Sequence, residues 1–153
     1  MTLKFARFWL VFACSVSFAT ASAIPFAKAQ DAAAASGVWQ TEKGDAHVRI
    51  SACGSALCGK IVSLRDPIDP QTGKPQVDDK NPNPSLATRP VIGLSLFNSM
   101  RPTGPGSWAG LIYNADDGRY YESKVTVQGP SSLRVEGCVG AICGGETWSR
   151  VGR

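Results

Sequence analysis

The sequence predicts an all-β protein, about eight antiparallel strands joined up-and-down into a barrel, with one long proline-rich loop. Three observations predict it. Short runs that alternate apolar and polar residues recur along the chain, split by Gly, Pro, Asn and Asp, which is the pattern of half-buried strands joined by tight turns. No stretch after residue 29 carries a helical period. The chain has 153 residues, the length of one ordinary domain, and Gly plus Pro account for 26 of them, below the roughly 25–30% that marks disorder.

The first 29 residues have the order of an export signal. Lys4 and Arg7 precede an apolar run from Phe8 to Ala19, and small residues follow in two Ala-x-Ala patterns. Cleavage after Ala23 or after Ala29 fits, and Pro25 just ahead of the second favours Ala29. The run is shorter than the roughly 20 apolar residues of a membrane span, so no stable membrane insertion is expected after processing. Cys14 follows Val11-Phe12-Ala13, where the bulk of Phe12 argues against lipidation. Removing residues 1–29 leaves 13 basic against 12 acidic residues, so the formal charge falls from +4 to +1. The basic character belongs mostly to the signal, and without a Lys/Arg cluster no nucleic-acid partner is expected.

Residues 30–36, with four consecutive alanines, read as a flexible leader, and residues 37–153 as the barrel domain. Val38–Glu42 opens the strand series. Ala46, Val48 and Ile50 alternate with His47, Arg49 and Ser51, and Gly59–Leu64 follows. Pro90–Asn98 is more continuously apolar, as where both faces are covered. Trp108–Tyr113 comes next, then an Asn-Ala-Asp-Asp-Gly turn ending at Gly118, then Tyr120–Val127 with Tyr121, Ser123, Val125 and Val127 on one face. Leu133–Val139 and Glu146–Val151 complete the meander. An antiparallel series of this kind closes into a barrel wide enough for its own side chains or one small ligand.

Residues 66–90 break the pattern. Six of these 25 residues are proline, so the segment cannot join a ladder, yet proline restricts its backbone. Long connections in compact domains tend to carry function, which makes Asp69, Asp78, Asp79, Asn81 and Arg89 candidate ligand contacts, joined by Tyr113 and Tyr121 from the wall. The competing reading is turn chemistry, since Asp and Asn near proline bond their own backbone. The calcium-loop spacing D-x-[DN]-x-[DN]-G is missing, and no metal or cofactor is expected.

Removal of Cys14 with the signal leaves an even four cysteines, Cys53, Cys58, Cys138 and Cys143, in two matching C-x4-C loops. In an exported chain an even count reads as disulfides, with three connectivities open, and the hairpin spacing favours the local pairs. The C-x4-C spacing is loose for a zinc site, and no C-x-x-C pair offers redox chemistry. No catalytic residue is expected. His47 is the only histidine and sits on the polar side of its strand, no Gly-x-Ser-x-Gly is present, and Glu122, Glu136 and Glu146 read as ordinary strand charges.

With these residues assembled, the chain resembles the bacterial domain of unknown function 2147 family. The residues that carry the resemblance are Gly37-Val38-Trp39, Gly59-Lys60-Ile61-Val62, Asp69-Pro70-Gln71-Thr72-Gly73-Lys74-Pro75 with Asp78, Asn81-Pro82-Asn83-Pro84, Arg89-Pro90 and Gly93, then Trp108, Tyr113, Asp117-Gly118, Tyr120-Tyr121 and Thr147-Trp148-Ser149-Arg150. The two cysteine loops depart from its common pattern. The resemblance implies a periplasmic or secreted, lipocalin-like, calycin-type barrel and no established activity. It also implies that Arg150 on the last strand stacks on Trp39 of the Gly37-x-Trp39 motif at the barrel base, a contact of about 0.5–2 kcal/mol. The leading functional expectation is non-enzymatic binding of a small apolar or lipid-like ligand by the barrel and long loop. An envelope protein-interaction module using residues 66–90 is the alternative, and a hydrolase or isomerase using loop carboxylates comes last.

Overall fold

The computed structural model describes residues 26–152. Residues 1–25, which hold most of the expected export signal, lie outside them. Helix α1 (Phe26–Ala35) leads into β1 (Gly37–Gln40), β2 (Ala46–Cys53), β3 (Ala56–Leu64), β4 (Ser95–Gly104), β5 (Ser107–Asn114), β6 (Arg119–Gly129), β7 (Ser132–Val139) and β8 (Ile142–Gly152). The strands follow one another around a closed antiparallel barrel. Closure comes from β1 pairing with β8, Trp39 opposite Arg150.

Alternation explains the wall. Trp39, Val48, Ile50, Leu57, Met100, Val125 and Leu133 are buried in one cluster, and their odd or even neighbours along each strand face solvent. Two segments differ from the sequence reading. The apolar run 90–98 is not a strand throughout. Strand β4 starts at Ser95, and Val91 and Leu94 are buried as the end of the long loop, held by Gly93 N–H to Ile61 O at 2.8 Å and Ile61 N–H to Leu94 O at 2.9 Å.

The second difference is α1. Residues 30–35, expected as part of a flexible leader, are the end of a helix, and Ala35 is fully buried. Alanine is the best helix former but carries no apolar period, so a periodicity search passes over it. The last carbonyls of a helix need donors, and the barrel supplies them. Trp39 Nε1 donates to Ala35 O at 2.9 Å, Arg150 Nη1 to Ser36 O at 2.6 Å, and Arg150 Nη2 to Ala34 O. The Arg150 guanidinium lies 4.1 Å from the centre of the Trp39 ring, and its Nε donates to Pro130 O at 2.7 Å. A side chain at Gly37 would run into Arg150 Nη1, and Gly37 adopts φ 144°, so this position is confined to glycine.

The four cysteines form Cys53–Cys58 and Cys138–Cys143, with Cα separations of 5.8 and 4.0 Å. The first staples the β2–β3 hairpin at the base. The second staples the β7–β8 hairpin at the opposite end, where Cys138 and Cys143 are direct cross-strand partners.

A cavity at the barrel mouth and the loop that flanks it

The end of the barrel away from α1 gathers the β1–β2 turn, residues 65–94 and the β5–β6 turn. Here the interior opens into a cavity of about 600 Å³. Its walls are the inward side chains of Val48, Ile61, Leu64, Ile112, Val135 and Trp148, and Gln76, Val77, Asp79 and Lys80 border it from the loop. A broader hollow of about 1470 Å³ lies at the base against α1, bordered largely by Ala, Gly and Pro, with its Arg150 already engaged by carbonyls.

Residues 66–90 are ordered by their own hydrogen bonds. Asp69 Oδ1 accepts from Gln71 N at 2.7 Å and Thr72 N at 3.2 Å, closing the first turn, and Asn83 Oδ1 accepts from Ser85 N at 3.0 Å in a later one. Isolated bridges pair Ile68 with Pro75 and Val77 with Pro90. Asp69 is therefore a turn residue and does not border the cavity.

Four of the other candidates meet in one cluster on the wall. Asp78, 1% exposed, accepts from Tyr113 Oη at 2.7 Å, Asn81 Nδ2 at 2.9 Å and Arg89 Nε at 2.9 Å, and forms an ion pair with Arg89 Nη2 at 2.8 Å. Asn81 Nδ2 also lies 2.9 Å from Tyr113 Oη, and the Arg89 guanidinium sits 5.4 Å from the Tyr113 ring centre. Burial, and then the bond to the Asp78 carboxylate, push the Tyr113 hydroxyl above its ordinary pKa, while Asn81 acts in the opposite direction. Tyr113 stands on the face of β5 opposite Ile112 and pairs with the exposed Tyr120, so this cluster fastens the loop to the outside of the wall. At Gly118, φ 71°, a Cβ would collide with Lys80 O, so the β5–β6 turn presses on the same loop. Asp78, Asn81, Arg89 and Tyr113 spend their polar capacity on one another.

Among the candidates, Asp79, Tyr121 and part of the Tyr113 side chain border the cavity, while Asp78, Asn81 and Arg89 do not. Asp79 pairs with Lys80 at 2.8 Å, an exposed contact that raises the Lys80 pKa through hydrogen bond and charge. Tyr121 donates to Asp117 Oδ2, and that bond, with some burial, raises its pKa. The residue that sequence reasoning placed among ordinary strand charges is Glu146. It shares the inward face of β8 with Trp148, lies opposite Val135, and accepts from Trp148 Nε1. The signal was present: Trp148 had to be inward, and a residue two positions away shares its face.

A closed eight-stranded antiparallel meander, sealed by a helix at one end and hollow at the other, defines a lipocalin-like barrel. It is similar to a solved structure described as protein HP1028 from the human pathogen Helicobacter pylori, of the lipocalin family, at TM-score 0.65 and 23% identity, over 76% of this chain and 82% of that one. Residues 37–150 match the family model described as Uncharacterized protein conserved in bacteria (DUF2147), and the chain belongs to that family. Among curated proteins none matches it.

Proposed function

We propose that this chain is a periplasmic or secreted, non-enzymatic binding protein that holds a small apolar or lipid-like ligand in the mouth of its barrel. The observation that carries the reading is the cavity of about 600 Å³ beside the anchored loop, within the roughly 300–1,000 Å³ of small-molecule sites. Two disulfides suit an oxidising compartment, and the proposed signal, residues 1–29, supplies the route. Among the described residues no helix is long and apolar enough to cross a membrane. Cleavage at either Ala23 or Ala29 leaves Asp31–Ala35 to cover the base.

The test is titration with a neutral fluorescent probe, N-phenyl-1-naphthylamine, together with native mass spectrometry of protein taken from its own compartment. Ile112→Trp and Ala46→Phe fill the cavity from two strands. Both are expected to abolish probe binding while the folded spectrum persists. Probe binding that neither substitution alters would refute the reading.

The exposure of Ile68, Val77 and Leu86 on the loop favours a second reading, an envelope protein-interaction module. Partner capture lost in an Ile68→Asp/Leu86→Asp variant that still binds the probe would favour it over the first.

A further inference from the structure

We infer that the cavity selects an amphipathic cation, an apolar body carrying an ammonium or similar group, with the Glu146 carboxylate as its counter-charge. The inference rests on the binding reading above and names the ligand class for that same cavity.

Glu146 is a half-buried acid on the inward face of β8, beside apolar neighbours. One carboxylate oxygen accepts from the Trp148 indole, a neutral donor, and among the described residues Glu146 has no ion pair and no other recorded partner. Its cross-strand neighbour is Val135, and Val48 and Ile61 line the same space. An empty, open cavity lets water solvate the carboxylate. A neutral ligand that expelled this water would strand the charge against one indole, and burying an unpaired charge is costly. An anionic ligand would add like-charge repulsion. A cationic head is the occupant that fills the space and answers the charge with a charge-assisted hydrogen bond.

The rim has the same sign. Asp66 is occupied by Arg65 at 3.2 Å and Asp79 by Lys80 at 2.8 Å. What remains around the mouth is Asp45, which accepts from Thr41, with Asp116 and Glu136, against Lys43. With Glu146 added, four carboxylates face one ammonium. A cavity of this volume, with aliphatic side chains among its polar ones, is far larger than a bare metal ion requires, so the charge is carried on a carbon skeleton.

Three probes with one tail and different heads test this on the wild-type protein: octylammonium, 1-octanol and octanoate, followed by calorimetry and tryptophan fluorescence at low and high salt. Octylammonium is expected to bind about tenfold or more tighter than octanol, with octanoate weakest, and added salt should narrow the spread. Glu146→Gln keeps an oxygen for Trp148 and should erase the preference while octanol affinity holds. Equal or tighter binding of octanol or octanoate by the wild type overturns the cation inference and leaves small-ligand binding standing. Failure of all three, together with the neutral naphthylamine probe, overturns both. If Glu146→Gln does not fold, the wild-type ranking alone decides.

Discussion

Replacing Asp78 by alanine should release the long loop from the barrel. The carboxylate takes three hydrogen bonds, one each from Arg89 Nε, Tyr113 and Asn81, adds an ion-pair contact to Arg89 Nη2, and is 1% exposed. Alanine leaves all these donors without their acceptor. Breaking a buried pair by removing one partner costs roughly 3–5 kcal/mol. The Arg89 side chain is 33% exposed and recovers some water, so the low end, about 3 kcal/mol, is the expectation here. Asp78→Asn should cost less, about 1–2 kcal/mol, because an amide oxygen still accepts from Arg89 and Asn81 while the charge is gone.

Trypsin reads the opening. Lys74 and Arg89 both precede proline and resist cleavage, so Lys80-Asn81 is the internal site within residues 66–90. If cleavage follows the opened population, 3 kcal/mol corresponds to roughly a hundredfold faster cut in Asp78→Ala, with Asp78→Asn between it and the parent. An alanine variant whose cleavage rate and stability stay within about 0.5 kcal/mol of the parent would refute the clamp and return Asp78 to the pool of free ligand contacts.

Two further outcomes are expected. Each disulfide closes a short loop, and replacing either pair by serine should lower unfolding stability by about 2 kcal/mol in denaturant titration, leaving the octylammonium preference intact. Tyr113 has a folded pKa above its unfolded value near 10, so its bond to Asp78 contributes fully below that pH and is lost as pH rises through the folded pKa. Tyrosinate absorbance should then show a late alkaline step accompanied by loop release, and Tyr113→Phe should remove that step.

The strands were legible because a barrel wall with a packed interior writes an alternation into the chain: Ala46, Val48 and Ile50, or Leu133 and Val135, could face only inward. Helix α1 was not legible, since an alanine tract specifies helix by propensity alone and its burial depends on Trp39 and Arg150 far along the chain. The loop residues stood out as a group, but sequence could not separate those that bond one another from those that face space. Asp78 and Asp79 are adjacent, yet one is buried against Tyr113 on the outer wall and the other borders the cavity. That division depends on which side of β5 the loop crosses. Glu146 was missed because its charge was weighed and its face was not.

Closure by β1 against β8 also governs how the molecule is made. Val38 finds its last partner in Gly152, so the ring cannot be completed until nearly the whole chain is present. Pairings of that sequence separation are slow to form, on the scale of milliseconds to seconds for barrels of this kind. Through that interval β1 and β8 each present an unpaired edge, and ring closure competes with strand exchange between neighbouring copies. Loss of the last few residues of β8 would remove the closing pairs of Val38 and Trp39 and leave those edges open to pairing with another copy.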